Sequence, residues 1–273
     1  MRSNSLNPAE IIILGIVQGL TEFLPVSSTG HLRVAQELLG WTNTDEMISL
    51  DIFLHLPTIL AVIFFFRKDL AGIFRQLFGK AQREERQAAM HLISLILAGM
   101  VATTFVYFLF KEPIHSVFDN PKLVGIAFLL TSIALGTISL KKDGKLSQVD
   151  LTIWHALLIG AAQGIAITPG LSRSGMTICA ALLIGLRSEE AFRYSFLLSI
   201  PTIIIAWLFD IITNPGALSN LSGAGMLSIG FLIAFLFGLL AIYLLKGAVL
   251  RRKLWVFAIY LVPVGIFTLT YNF

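Results

Sequence analysis

The chain has 273 residues, of which 56% are hydrophobic and 13% charged, with a formal net charge of +4. A charged fraction about half that of an average soluble domain cannot cover the outside of a soluble fold, whereas a bilayer asks for apolar residues inside and outside alike. The basic residues lie between apolar runs and not along one stripe, which argues against nucleic acid as a partner, and the single cysteine, Cys179, excludes an intrachain disulfide.

Residues 1–8 are polar and run into the first apolar stretch without a small-residue cleavage site, so that stretch is expected to stay in the mature protein. It covers 9–24, breaks at Pro25-Val26-Ser27-Ser28-Thr29-Gly30, and resumes over 31–39. Three runs long enough to span follow, at 47–66, 91–110 and 123–140, given that about 20 residues cross a hydrocarbon core. A second broken stretch covers 153–167, meets Thr168-Pro169-Gly170-Leu171-Ser172-Arg173-Ser174-Gly175, and resumes to 186. Three more spanning runs, 195–212, 226–245 and 254–271, complete the chain. Each half of a broken stretch is too short to cross, and non-helical backbone survives at membrane depth only where protein or water satisfies it. Both stretches therefore read as re-entrant helix–loop–helix hairpins with buried tips.

The hairpins are copies of one another. At a constant offset of 145 residues, Gly15, Gln18, Gly19, Ser27 and Gly30 match Gly160, Gln163, Gly164, Ser172 and Gly175. The next segments match too, Leu54, Pro57, Thr58 and Ile59 with Leu198, Pro201, Thr202 and Ile203 at an offset of 144. Each copy holds one hairpin and three crossings, and an odd number of crossings inverts the second copy. The expected architecture is an all-α integral membrane protein forming one membrane domain over 1–273. It consists of two inverted-topology repeats (about 8–145 and 150–273), with six transmembrane helices plus two re-entrant helix-loop-helix hairpins. Fifteen of the twenty Lys and Arg fall in the connections 67–86, 141–145, 187–193 and 246–253, all on one side of a six-span arrangement, which makes that side cytoplasmic. The first hairpin then opens from the outer face and the second from the cytoplasmic face.

The two Ser-rich tips each precede an apolar helix, so their hydroxyls cap it while its free N–H groups point into the loop, an arrangement that attracts anions. Two such ends meeting make a site for a group with several negative oxygens, and Arg173 adds a planar fork suited to phosphate. A lone arginine at membrane depth is itself a functional signal. Glu22 lies four residues after Gln18, on the same helical face. A carboxylate there needs a partner, which is Arg173, a proton or a divalent cation; magnesium or calcium would bridge it to phosphate. His31 follows Gly30 within reach of the same loop and suits proton transfer near neutral pH. His91 and His155 read as structural; His55 lies one turn after Asp51 and is placed to pair with it.

Gly19-Leu20-Thr21-Glu22-Phe23-Leu24-Pro25-Val26-Ser27-Ser28-Thr29-Gly30-His31, together with Pro169-Gly170-Leu171-Ser172-Arg173-Ser174-Gly175-Met176-Thr177, resembles the paired signature of the undecaprenyl-diphosphate phosphatase (bacitracin-resistance) family. The resemblance extends to nearly the whole chain. It implies removal of the terminal phosphate of undecaprenyl diphosphate at the outer face of the cytoplasmic membrane, which recycles the lipid carrier of cell-wall synthesis. It makes Ser28 the nucleophile, with His31 as its proton partner or as a direct participant, Arg173 the phosphate clamp and Glu22 a metal ligand or general base. Ser27, Thr29, Ser172, Ser174 and Thr177 become phosphate-binding groups, a divalent cation (Mg2+ or Ca2+) the cofactor, and a homodimer the expected assembly. Two departures stand out: Gln18 occupies a place where many members carry glutamate, and His55-Leu56-Pro57 replaces the Gln-x-Gly of many members. The broken helices and inverted repeats also fit a transporter or lipid flippase, but Glu22, His31 and Arg173 occur in one copy each, which favours catalysis over a symmetric conduit.

Overall fold

The computed structural model describes residues 7–40, 44–118, 120–216 and 224–271. Over these residues the chain is helical, with no β-strand beyond a single bridge between Leu146 and Leu186. In the first half, α1 (Pro8–Phe23) and α2 (Ser28–Leu38) flank the first tip; α3 (Thr44–Phe65), α4 (Arg67–Phe78), α5 (Arg83–Leu109), α6 (Lys111–Phe118) and α7 (Pro121–Leu140) follow. In the second half, α8 (Ile153–Ile165) and α9 (Arg173–Leu183) flank the second tip, before α10 (Ser188–Thr213), α11 (Ala224–Leu250) and α12 (Trp255–Thr270).

Among the described residues, five helical segments are long and apolar enough to cross a membrane: Ile48–Phe65, Arg83–Leu109, Pro121–Leu140, Ser188–Thr213 and Gly225–Leu250. The sequence reads as six. The last run, read as 254–271, forms α12, whose 16 residues reach about 24 Å at 1.5 Å per residue, short of a full crossing. Two other helices begin well before their apolar runs. Helix α5 starts at Arg83, where Gln82 and Glu85 form a capping box, and α10 starts at Ser188 with Glu189 and Glu190 in its first turn. Acidic groups at a helix N-terminus favour helix beyond the apolar stretch. The basic connection after α3 is itself mostly helix, because Leu70, Ile73, Phe74, Leu77 and Phe78 recur at helical spacing within α4.

The two halves interlock through close backbone contacts. Helix α1 packs on α11 and α8 packs on α5, so each short arm is carried by a long helix of the other half. A Cβ on Gly15 or Gly19 would lie 3.0 or 2.6 Å from the carbonyl oxygens of Gly230 and Ala234. On the other side, a Cβ on Gly160 or Gly164 would lie 2.1 or 2.7 Å from the carbonyl oxygens of Gly99 and Thr103. The same spacing of small residues thus makes the same contact twice. A third close crossing joins α7 to α12 at Gly125 and Gly265, each of whose added Cβ would meet the other's carbonyl oxygen, at 2.9 and 3.1 Å. At the α8–α5 seam the obstacle is backbone, which cannot rotate away. Gly160→Val is therefore expected to cost about 3 kcal/mol or more by overpacking, read as a lowered thermal midpoint in detergent. Gly247→Val, where an added Cβ meets nothing within 4 Å, is the control and should leave the midpoint in place.

The connection between the halves is pinned as well. Asp143 accepts hydrogen bonds from the Ser188 backbone N–H (2.9 Å) and hydroxyl (2.7 Å), and it pairs with Arg252 at 3.2 Å. Partial burial works against its charge, but the Ser188 hydrogen bonds and Arg252 outweigh it and hold the carboxyl below its usual range.

Candidate active site

The two tips meet. Ser27 caps α2 by accepting a hydrogen bond from the Gly30 N–H at 3.4 Å, and the same hydroxyl oxygen accepts from the Gly170 N–H at 3.0 Å across the junction. Ser172 caps α9 in the same way, accepting from the Gly175 N–H at 3.1 Å. The tips are not equally relaxed. Ser27 has φ 72°, a region that L-residues rarely adopt, whereas its counterpart Ser172 sits at φ −87° and the second turn uses Gly170 at φ 88°. Strain held at a serine inside a buried junction is a feature of functional sites. Thr131 of α7 braces the second tip, donating to the Gly170 carbonyl (3.0 Å) and accepting from the Ser172 N–H (3.3 Å).

Glu22, at the end of α1, lies at the centre with its side chain 1% exposed. Arg173 donates to Oε1 in a close ion pair, Ser28 donates to Oε2 at 2.7 Å, and Gln18 Nε2 donates to Oε2 at 3.2 Å. His55 Nε2 stands 3.8 Å from Oε2. A buried carboxylate is retained only when its partners offset the loss of water, and here the guanidinium and three polar neighbours do so. Ser28 and Arg173 occupy the same place in the two repeats, 145 positions apart, so equivalent residues of the two halves hold the two oxygens of one carboxylate.

Of the expected site residues, Gln18, Glu22, Ser27, Ser28, Ser172, Arg173 and Ser174 are gathered here. Ser174 bonds to Ser172 Oγ (3.2 Å) and donates to the Leu24 carbonyl across the junction (3.4 Å). Thr29 is half-buried on the first turn of α2. Thr177 is buried, and its hydroxyl is spent on the Arg173 and Ser174 carbonyls of its own helix. His31 stands apart from Ser28 in its bonding. Its Nδ1 donates to the Ser27 carbonyl at 2.8 Å, which leaves Nε2 to accept from the Tyr260 hydroxyl at 2.9 Å. His55 donates through Nδ1 to the Asp51 backbone carbonyl (2.6 Å), while the Asp51 carboxylate accepts from Gln36 (2.8 Å), so the expected pairing runs through backbone and not through the acid. His91 and His155 serve structure, on the Leu151 carbonyl and the Thr152 N–H.

Thr131 and Tyr260 carry no sequence signal. A threonine and a tyrosine inside apolar runs announce nothing until α7 and α12 are placed against the tips. Among the described residues no group of three or more His, Cys, Asp or Glu side chains converges. The oxygen donors at the site are Glu22 and Gln18 Oε1, a buried atom with no hydrogen-bond partner. That set fits magnesium, which is commonly held by one or two carboxylates together with substrate phosphates and water, better than a calcium cage of six to eight protein oxygens.

A hydroxyl aimed at a carboxylate, a guanidinium fork and two capped helix N-termini suit phosphoryl transfer. The family model described as "Bacitracin resistance protein BacA" matches residues 11–267. The chain belongs to the BacA family. Its similarity to curated relatives extends over the full length. It is 41% identical over 259 residues to the undecaprenyl-diphosphatase of Halothermothrix orenii, covering 94% of this chain and 95% of that protein. It is 39% identical over 257 residues to the one from Thermosipho melanesiensis, at 94% and 96% coverage. For that of Carboxydothermus hydrogenoformans the identity is 35% over 263 residues, with 96% of each chain covered. The tip-to-tip site thus lies in a multi-pass membrane protein of the BacA family.

Proposed function

We propose that this chain hydrolyses undecaprenyl diphosphate to undecaprenyl phosphate and inorganic phosphate at the outer face of the cytoplasmic membrane. The observation that carries the reading is the convergence of Ser28 and Arg173 on Glu22. The names of the full-length relatives supply the substrate. In the arrangement we favour, six crossings and two re-entrant hairpins form inverted repeats, the tips meet within the bilayer, and the first hairpin opens outward. The paired seams of α1 on α11 and α8 on α5 support that symmetry.

Ser28 attacks the terminal phosphorus and gives its proton to Glu22, the acceptor it already faces. Arg173 leaves Glu22 for the phosphoryl oxygens, where its fork and the N–H groups at the start of α2 and α9 balance the developing charge. The bond to the bridging oxygen breaks, undecaprenyl phosphate departs with that oxygen, and water then cleaves the phosphoserine. Ser27 and Ser172 keep the cradle in shape as caps; Thr29 and Ser174 line it. A magnesium ion held by Glu22 and Gln18 Oε1 would supply Lewis-acid polarisation of the phosphoryl group. Transport is not favoured, because the residues gathered on Glu22 differ between the two tips.

Phosphate release from undecaprenyl diphosphate by the purified protein tests the reading, and its absence ends it. A chelator is expected to lower the rate by about a hundredfold, in keeping with the several kcal/mol that a Lewis acid contributes, with recovery on adding magnesium. Undiminished release in the chelator would remove the metal.

A further inference from the structure

His31 touches the second half of the chain through Tyr260. Its Nε2 accepts the Tyr260 O–H at 2.9 Å, the two rings lie near-parallel with centroids 5.7 Å apart and an interplanar angle of 11°, and Phe128 of α7 meets the imidazole in an edge contact at 4.9 Å. With Nδ1 bonded to the Ser27 carbonyl, the imidazole is held at both nitrogens and flanked by two aromatic rings. The holder is itself fixed. Ser132 donates to the Ala258 carbonyl at 2.8 Å, two residues before Tyr260, and the Gly125–Gly265 crossing locks α12 onto α7. Phe128 packs directly on Gly30, where a Cβ would sit 2.6 Å from Phe128 Cζ. Tyr260 also differs in setting from the rest of the site. It is 45% exposed on an apolar face of α12, beside Val256 and Ile259, while Glu22, Ser27 and Ser172 are buried.

We propose that Tyr260 is a positioning residue for the reaction: its hydroxyl fixes the tautomer and orientation of His31 at the lipid-facing edge of the site. This rests on the phosphatase reading above, where Ser28 is the nucleophile: the His31 Nδ1–H holds the carbonyl of Ser27, the residue that precedes it. A carbonyl on Nδ1 forces that nitrogen to carry the hydrogen, and a hydroxyl donor on Nε2 takes up the remaining lone pair, so the two bonds fix the ring between Tyr260 and the strained Ser27 that precedes the nucleophile. Preorganisation of this kind acts on the chemical step and not on substrate binding, because the tyrosine need not touch the diphosphate.

Tyr260→Phe keeps the ring stack and removes only the O–H. It is expected to lower kcat by about tenfold, the value of one hydrogen bond of ordinary strength, with KM within about twofold of the parent. The same full-length protein in detergent provides a reading that needs no turnover. Diethyl pyrocarbonate acylates an imidazole nitrogen with a free lone pair, so carbethoxylation of the His31 peptide, followed by mass spectrometry, should quicken by about tenfold in Tyr260→Phe. Tyr260→Met, which keeps an apolar side chain toward lipid, serves as a second variant and should quicken labelling likewise. Parental labelling of His31 in both variants overturns the proposal, as does an unchanged kcat in Tyr260→Phe or a loss confined to KM. Should the parent protein release no phosphate, the functional reading falls while the labelling still decides whether Tyr260 holds His31.

Discussion

Arg173→Ala is expected to reduce kcat/KM for undecaprenyl diphosphate by about 10³-fold or more, the range over which an arginine supplied to a transferring phosphoryl group acts. The structure gives a second reason for a large effect. Among the described residues Arg173 is the only lysine or arginine bonded to Glu22, so its removal leaves a carboxylate with a 1% exposed side chain facing hydroxyl, amide and imidazole. Breaking a buried pair from one side costs about 3–5 kcal/mol, so the variant should also lose thermal stability. Arg173→Ala/Glu22→Gln separates the two effects: it should regain stability, because the orphaned charge is gone, and remain inactive. Arg173→Lys should also stay far below the parent, since a point charge cannot reproduce the planar fork. Turnover near the parental rate in Arg173→Ala would remove the clamp from the mechanism.

Ser28→Ala is expected to lower turnover by about 10³-fold or more, as loss of a nucleophile does, while the fold persists. The geometry distinguishes Ser28 from His31 as the attacking group. Ser28 presents its hydroxyl to Glu22 at 2.7 Å, a nucleophile facing its base, whereas both nitrogens of His31 are committed to Ser27 and Tyr260. Quenching the parent in acid during turnover should trap an acid-stable phosphoserine on the peptide containing Ser28. An acid-labile adduct on the His31 peptide, together with substantial activity in Ser28→Ala, would reverse the assignment.

Much of the site was legible because its parts are local. The tips are short runs of Pro, Ser and Gly inside apolar stretches, and their repetition at a fixed offset made both visible together. Glu22 and Arg173 stood out as charges where charge is expensive, and their mutual pairing is the simplest way to offset that cost. What remained hidden depends on packing between segments distant in sequence. Nothing near Tyr260 marks it as the partner of His31, and Thr131 looks like any small polar residue that can bond its own helix. The helix ends were misplaced for a different reason. Hydropathy marks where lipid contact ends, whereas α5 and α10 continue past that point on the strength of acidic first turns, and α4 forms among basic residues that look like a loop when only their charge is weighed.

The crossed seams bear on how the protein is made. Helix α1 rests on Gly230 and Ala234 of α11, so the N-terminal arm emerges from the ribosome roughly 200 residues ahead of the surface it needs. At about 5–20 residues per second, that is on the order of 10–40 seconds of synthesis. The second arm, α8, finds α5 already inserted. The half that carries Glu22 and Ser28 is therefore translated first and settled last, and in the nascent chain the tip-to-tip junction is not assembled until the final third of the polypeptide has entered the membrane.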